Sequence, residues 1–305
     1  MELFKYLPPS RIDILERLMI KFSRPDDFND PFESLPFVVG LMSPETVESL
    51  YEENIETHLD QIKFESVLKY LPKEDLALIP KEYIPLFSSM TMGQAKEMLN
   101  IKDLFKDLIL KYPEKIEGSI ATVFKKKWNE LFGILCLSEK YDNLIMWAHY
   151  AQNHEGFVLG FNSKDPFFFQ KRSESDALRT LKKVKYKEDR PEITFFNNKM
   201  SESELADYLI ENILLTKSNH WEIEDEWRII FSLKDADEIV AHDNNKSFLF
   251  KIPKEIITSI YFGVRINDNL RDNMINIIKG HNLSLKIFQT YLDQRKYLLD
   301  FKPLN

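Results

Sequence analysis

The sequence has a single cysteine, Cys136, among its 305 residues. One thiol cannot form an internal disulfide, so a disulfide scaffold is excluded and a reducing, cytoplasmic location is expected. No apolar run approaches the roughly 20 residues that a membrane-spanning helix needs, so we expect no membrane association. The first residues, MELFKYLPP, lack the basic start and apolar core of a secretory signal.

Glycine is also scarce, with 8 residues, and the familiar glycine-containing site motifs are missing. There is no Walker phosphate loop, no Gly-x-Gly-x-x-Gly, no Gly-x-Ser-x-Gly and no His-Glu-x-x-His zinc motif, which argues against P-loop, Rossmann, α/β-hydrolase and zincin chemistry. The net charge of -8 argues against broad binding to a nucleic-acid backbone. What remains is an ordinary globular composition that is rich in phenylalanine.

Two kinds of sequence alternate along the chain. Residues 41–131 are rich in Glu, Lys and Leu at helical spacing, which predicts an inserted all-helical subdomain. Residues 1–40 and 132–305 mix strands with helices that do not alternate regularly. We therefore predict an α+β core domain, built on a mixed and mostly antiparallel sheet, from these two segments.

The elements of the core domain follow from apolar periodicity and from capping residues. A helix is expected to begin with Ser10 as its N-cap. The predicted strands are 3–7, 20–23, 132–138, 156–161, 183–187, 227–233, 247–252, 257–263, 284–290 and 295–302, and the predicted helices are 142–151, 201–216 and 267–280.

The stretch from 144 to 161 gathers polar aromatic residues at a predicted helix-to-strand junction. It contains Trp147, His149, Tyr150 and His154, where a packed core would prefer aliphatic residues. We interpret this as a binding or catalytic site. The alternative is a buried His149 that is hydrogen-bonded between helix and sheet. A zinc site would need further ligands, and none is evident, so no metal site is assigned.

A second stretch, 221–228, has the sequence WEIEDEWR. In an extended conformation Glu222, Glu224, Glu226 and Arg228 would share one face. Carboxylates crowded in this way raise one another's proton affinity, which indicates a polar ligand, a cation or an acid–base role. The alternative is a solvated loop before a strand that begins at Glu226.

A polar loop follows the second predicted strand and is a third candidate site. It contains Arg24, Asn29, Asp30 and Glu33, and such loops often border pockets. An Asx-turn before Pro31 would explain the same residues. Lys5 and Tyr6 on the first strand are further candidates.

Together these motifs resemble a bacterial family known as domain of unknown function 2971. The shared elements are Lys5-Tyr6, the Asn-Asp-Pro-Phe-Glu loop, the Met146-to-Phe157 stretch and the Trp221-to-Arg228 stretch. The resemblance skips residues 41–131, which is consistent with a variable insertion.

A more distant likeness is to ADP-ribosyltransferase-like folds, and it implies a function. By this resemblance Glu226 would be catalytic, Glu224 would orient an acceptor, and His149 would take part in the reaction. NAD would be the cofactor. Residues expected to bind it are Lys5, Tyr6, Arg24, Asn29, Asp30, Trp147, Tyr150, His154 and Arg228.

Three functional hypotheses therefore stand. The first is a NAD-consuming enzyme of toxin or phage-defence type, with an unidentified protein or nucleic-acid acceptor. The second is a non-catalytic module that senses a small-molecule ligand. The third is a hydrolase or nuclease that binds a divalent cation through the carboxylates between Glu222 and Glu226.

Overall fold

The computed structural model describes residues 1–38, 89–91, 121, 125–173, 176, 178–193, 207–242 and 245–304. The chain forms two compact units. The first comprises Met1–Glu33, Asn129–Glu188 and Ile210–Asn305, and the second comprises Ser34–Trp128 and Asp189–Leu209. Most of the predicted helical insertion, 41–131, lies outside the described residues, so the proposed division into core and insertion stays a prediction.

The first unit contains thirteen strands among the described residues. They are β1 (Glu2–Leu7), β2 (Met19–Phe22), β4 (Phe132–Ser138), β5 (Phe157–Asn162), β6 (Lys182–Lys183), β7 (Lys185–Lys187), β9 (Thr216–Ser218), β10 (Glu226–Ser232), β11 (Glu238–His242), β12 (Asn245–Lys251), β13 (Ile257–Phe262), β14 (Lys286–Leu292) and β15 (Leu299–Pro303). Its helices are α1 (Asp13–Arg17), α2 (Leu144–Tyr150) and α3 (Asp268–Gly280), with short 3₁₀ segments at Pro9–Arg11, Pro25–Asp27, Pro166–Phe168, Asn219–Glu224, Leu233–Asp235 and Lys254–Ile256 and a π-helix at Ile210–Leu214.

The main sheet has eight strands in the order β15-β14-β13-β5-β1-β4-β10-β6. All neighbouring pairs are antiparallel except β13 and β14, which are parallel and are connected through α3. A three-stranded sheet, β11-β12-β2, and a two-stranded parallel pair, β7-β9, complete the unit. The α+β class and the mostly antiparallel sheet predicted from the sequence are confirmed.

Strand β4 divides its edge between two partners, and this division positions the site. Strand β1 shares one register pair with it, Phe4 opposite Ser138. Further along β4, Ile134 forms an antiparallel bridge with Ser23, just after β2. Between these two contacts, no described strand pairs with this edge of β4.

Both faces of the central strand β1 are buried, as expected for a strand in the middle of a sheet. Leu3 and Leu7 belong to the larger apolar core, while Phe4 and Tyr6 belong to a second, aromatic cluster. Since side chains alternate along a strand, β1 separates the two clusters. The larger core is closed by α3, which buries Met274 and Ile278 against it.

Helix boundaries follow from capping. Asn143 accepts hydrogen bonds from the main-chain nitrogens of Ile145 and Met146 and so begins α2. Asn267 begins α3 in the same way. The predicted Ser10 cap was wrong, because Ser10 lies within the 3₁₀ segment Pro9–Arg11 and α1 starts later, after Ile12.

The remaining differences between predicted and observed elements are local. Strand β11 was not predicted. The predicted strand 183–187 is interrupted at Val184 and forms two short strands. The predicted helix 201–216 is helical over 207–214 among its described residues, and its last residue, Thr216, already belongs to β9.

In the second unit, the described strands β3 (Phe37–Val38) and β8 (Glu192–Ile193) pair in parallel. The Arg190 guanidinium lies over the Phe37 ring, with its central carbon 5.4 Å from the ring centroid. Among the described residues of the chain, no helix is long and apolar enough to cross a membrane.

Candidate functional site

A cavity of about 220 Å³ opens where β1 and β4 part. It lies entirely within the first unit. It is lined by Phe4, Lys5 and Tyr6 from β1, by Ser23, Asp27, Phe28, Asn29, Asp30 and Glu33, by Cys136, Leu137 and Ser138 from β4, by Met146 and Tyr150 from α2, and by Lys217, Trp221, Glu224 and Glu226. The structure thus brings the three segments singled out in the sequence to one cavity.

Glu226 is the first residue of β10, and its side chain reaches the cavity although the residue is only 4% exposed. The Nε and Nη2 atoms of Arg228 donate to its two carboxylate oxygens at 2.8 and 3.1 Å. Lys217 Nζ donates to Oε2 at 3.0 Å. Burial alone would raise the pKa of Glu226, but the charges of Arg228 and Lys217 outweigh burial and lower it to about 2. Glu226 is therefore ionised at neutral pH.

Lys217 occupies the centre of a group of three carboxylates. Its Nζ lies 2.5 Å from an oxygen of Glu224, 3.0 Å from one of Glu226 and 3.9 Å from one of Glu33. Burial disfavours the charged amine, yet the three carboxylates raise the pKa of Lys217. The Trp221 ring centroid lies 5.0 Å from the same ammonium, within the range of a cation–π contact.

Arg228 links the catalytic candidate to the polar loop. Its side chain is fully buried, and it forms a short ion pair with Glu33 in addition to its contacts with Glu226. A third contact runs from Nη1 to the main-chain oxygen of Leu214, at 2.6 Å. Arg228 does not line the cavity. This position suits Arg228 to holding Glu226 and Glu33 in place and not to contacting a ligand in the cavity.

Glu224 is held by two side chains and a left-handed turn. Tyr150 Oη donates to its Oε1 at 2.6 Å, and Lys217 donates to its Oε2. Burial and the neighbouring Glu224 charge raise the pKa of Tyr150. Asp225, with φ of 43°, turns the chain from the 3₁₀ segment Asn219–Glu224 into β10. This turn lets Glu224 and Glu226 face the same ammonium.

The extended conformation predicted for 222–226 was wrong. Because Asn219–Glu224 is a 3₁₀ segment, Glu222 is exposed and lies apart from the cluster. Of the alternative, the strand that begins at Glu226 is confirmed, whereas the expected solvated loop is a 3₁₀ segment in which Glu222 is exposed and Glu224 is buried. Glu224 and Glu226 nevertheless converge, through the turn at Asp225 and not through a shared strand face.

Lys5 and Tyr6 both line the cavity, but their polar atoms form different numbers of hydrogen bonds within the protein. Lys5 Nζ donates to the main-chain oxygen of Cys136 at 3.1 Å. Tyr6 Oη donates to the main-chain oxygen of Lys140 at 2.9 Å and accepts from the main-chain nitrogen of Asn143 at 3.2 Å. Tyr6 thus fastens the start of α2 to β1, and burial raises its pKa.

The aromatic stretch divides into a part that reaches the cavity and a part that supports it. Tyr150 lines the cavity, whereas Trp147 is 0% exposed and lies behind it. Trp147 Nε1 donates to the main-chain oxygen of Tyr141 at 2.8 Å, and its ring meets Tyr6 edge-on at 5.6 Å. His154 stacks on Trp147 with a centroid distance of 6.0 Å. Trp147 and His154 therefore pack against each other outside the cavity lining, and their expected contact with a ligand stays a prediction.

His149 was predicted to be catalytic, and the structure places it elsewhere. It is exposed on α2 and does not line the cavity, because the helix turns its buried side, with Met146 and Trp147, toward the sheet. In the polar loop, Asn29 and Asp30 line the cavity, whereas Arg24 Nη2 pairs with Asp27 at 3.2 Å and lies outside the lining.

Sequence reasoning missed Lys217 and Trp221. Lys217 lies seven residues before Glu224, and β9 and the 3₁₀ segment bring the two together. One signal was available. Arg228 alone cannot neutralise several neighbouring carboxylates, so a second cation was to be expected nearby.

The carboxylates do not form a ready metal site. The Lys217 ammonium occupies the position between them that a divalent cation would take. Across the described ranges, no group of three or more His, Cys, Asp or Glu is arranged to hold a metal ion. The cavity instead presents the fixed carboxylate of Glu226 beside the amines of Lys5 and Lys217 and several aromatic rings.

Comparison with known proteins adds one finding. A family model described as "Protein of unknown function (DUF2971)" matches residues 146–229. The chain is similar to this family. The matched part contains Tyr150, Lys217, Glu224, Glu226 and Arg228, and it supports the first resemblance seen in the sequence. The chain matches no curated protein and no solved structure. The likeness to ADP-ribosyltransferases has no support from these comparisons.

Proposed function

We propose that the cavity binds a small polar ligand and that the chain is a NAD-consuming, ADP-ribosyltransferase-like enzyme. One observation carries this proposal. Glu226 is a buried carboxylate that faces a cavity and is kept ionised by Arg228 and Lys217. Such a group is suited to stabilising positive charge that develops on a bound substrate.

The reaction would break the bond between C1′ of the ribose and the nicotinamide nitrogen. The bonding electrons leave with nicotinamide, and the ribose becomes oxocarbenium-like until an acceptor attacks C1′. A preorganised carboxylate beside the ring can lower this barrier by several kcal/mol, because it favours the transition state over the ground state. Glu226 would have this role.

The cavity suits one half of a dinucleotide. Its volume of about 220 Å³ lies below the range of roughly 300–1,000 Å³ typical of complete small-molecule sites. Phe28, Tyr150 and Trp221 supply aromatic surface for a flat ring. Glu224, which Tyr150 and Lys217 hold from both sides, would orient the acceptor. Such an activity would suit a toxin or a phage-defence effector.

The test is nicotinamide release from NAD by the wild-type chain, Glu226→Gln and Glu222→Gln. Glu226→Gln keeps the side-chain shape and removes the charge, so we expect release to fall by about 10²–10³-fold. Glu222→Gln changes an exposed carboxylate in the adjoining segment and should release nicotinamide at the wild-type rate. Thermal unfolding of each variant establishes that it is folded. Full activity in Glu226→Gln would refute the assigned role.

A second candidate is a ligand-sensing module without catalysis. The hydrogen bonding of Glu226 favours this alternative, because both of its carboxylate oxygens already accept hydrogen bonds from Arg228 or Lys217. Under this alternative NAD or another metabolite would raise the melting temperature without nicotinamide release. That metabolite would also still bind to Glu226→Gln if its contacts are with other residues of the cavity.

A further inference from the structure

Two lysines line the same cavity in opposite electrostatic environments. Lys217 is surrounded by three carboxylates, within 3.9 Å of each. Lys5 has a single hydrogen-bond acceptor among the described residues, the main-chain oxygen of Cys136. Even a neutral amine has two N–H donors and a lone pair, so Lys5 keeps hydrogen-bonding capacity beside the cavity that it lines.

The surroundings of Lys5 shift its protonation equilibrium toward the neutral amine. Burial is the largest influence and lowers the pKa of Lys5. Among the neighbouring ionisable groups, Arg11 and Lys21 act in the same direction, while Glu226, and Cys136 in its thiolate form, oppose them. Lys217 is the reverse case, because its carboxylate partners raise its pKa and keep it protonated.

A neutral amine with a free lone pair is a nucleophile, whereas an ammonium is not. We propose that Lys5 is a reactive amine that captures a small aldehyde or ketone entering the cavity as an imine. The lone pair of Nζ attacks the carbonyl carbon, the resulting carbinolamine loses one water, and a carbon–nitrogen double bond forms. Amine and carbonyl compound are the only reactants. This reaction goes beyond the proposed NAD chemistry and does not depend on it.

The other nucleophile in the cavity is poorly suited to this role. Burial and the Glu226 charge raise the pKa of the Cys136 thiol well above its ordinary value. The thiolate, which is the reactive form, is therefore scarce at neutral pH. Among the cavity-lining residues, Lys5 is the amine without a carboxylate partner.

The experiment treats the folded full-length chain with limiting glyceraldehyde and sodium cyanoborohydride at pH 7. Cyanoborohydride reduces each imine to a stable secondary amine, and peptide mass spectrometry measures modification at each lysine. Lys254 is the reference, since it is exposed. A lowered pKa raises the neutral fraction of a lysine at pH 7, so we expect Lys5 to be modified several-fold faster than Lys254. Lys217 should remain unmodified.

Two controls make the result decisive. Unfolding in urea should abolish the difference between Lys5, Lys217 and Lys254, because the cavity is lost. Lys5→Arg keeps a long nitrogen-bearing side chain but cannot form an imine, and it should remove the fast-labelled site while Lys254 labels as before. Labelling of Lys5 in the folded wild type no faster than Lys254 would overturn the proposal. No NAD is used, so failure here is distinct from failure to release nicotinamide.

Discussion

Arg228 binds Glu226 through two of its nitrogens, although the two residues are separated by one position on β10. Side chains two positions apart on a strand lie on the same face, so the fork of the guanidinium can reach both carboxylate oxygens. The third nitrogen binds the oxygen of Leu214. The Arg228 guanidinium is fully buried, so its N–H groups are hydrogen-bonded only as long as Glu226, Glu33 and the Leu214 oxygen are in place.

Replacing Arg228 by Met should therefore destabilise the fold strongly. Glu226 and Glu33 would both remain buried without their guanidinium partner, and breaking a buried pair costs about 3–5 kcal/mol. Urea unfolding followed by circular dichroism measures the loss. Arg172→Met is the matched control, since that side chain is 65% exposed beside Asp235; it should change the free energy of unfolding by less than about 0.5 kcal/mol. Equal stability of the two variants would contradict the ion-pair account.

The same cluster predicts how stability falls in acid. Glu226 has a pKa of about 2 in the folded chain, against 4.5 for the ordinary carboxyl. A carboxyl with a lowered folded-state pKa stabilises the fold above its unfolded pKa, and this contribution is lost as the pH falls through the window from about 4.5 to about 2. For Glu33 the balance is reversed, because burial outweighs the charges of Arg228 and Lys217 and raises its pKa.

A comparison of variants isolates the Glu226 contribution. Unfolding free energies measured from pH 7 to pH 2.5 should fall less steeply in Glu226→Gln than in the wild type, because glutamine does not titrate. Glu222→Gln, an exposed change in the adjoining segment, should reproduce the wild-type slope. Parallel curves for wild type and Glu226→Gln would show that this carboxyl does not govern acid stability.

Much of the sheet could be predicted because apolar runs and turn residues fix the strands locally. Strand β4 has the predicted bounds, 132–138, since a buried central strand is a continuous apolar run. Helix α3 begins one residue later than predicted, after its Asn267 cap. Capping and periodicity are local properties of the chain, so they can be seen in the sequence.

The details of the site could not be predicted in the same way. The alternation of charged and apolar residues in WEIE is typical of a strand, yet this segment is a 3₁₀ helix. Contacts with distant parts of the chain stabilise it, including the hydrogen bond that Ser138 Oγ donates to the main-chain oxygen of Glu224 at 2.6 Å. Lys217 joins the carboxylates only through the fold. Trp147 and Tyr150 lie on one short helix, and the packing of that helix decides which of them reaches the cavity.

Gly156 should tolerate no side chain, because the main chain at the end of β1 lies against it. A β-carbon there would lie 2.0 Å from the main-chain oxygen of Leu7. Gly156→Ala should cost about 1–3 kcal/mol or more, since the obstruction is backbone and cannot rotate away. Gly280→Ala is the control at the end of α3, where a β-carbon meets nothing within 4 Å. It should be neutral or stabilise by roughly 0.5–1 kcal/mol. Thermal unfolding of the pair decides the matter.

Tyr150→Phe tests the hydrogen bond that holds Glu224. Loss of the hydroxyl removes the donor to Glu224 Oε1 and leaves a buried carboxylate oxygen without that partner. We expect a cost of about 1–3 kcal/mol in the free energy of unfolding. Tyr297→Phe removes a hydroxyl from a residue that is 98% exposed and should change nothing. If both variants unfold like the wild type, Glu224 does not depend on Tyr150.

The thiol of Cys136 should be unreactive in the folded chain. Burial and the Glu226 charge raise its pKa well above the ordinary value, so thiolate is scarce even at pH 8. Because the chain has one cysteine, the colour released from Ellman's reagent reports this residue alone. The folded protein should react at least about tenfold more slowly than the urea-unfolded protein, the change expected for each unit of pKa. Equally fast reaction in both states would place a second nucleophile beside Lys5, and imine trapping would then have to be repeated with the thiol blocked.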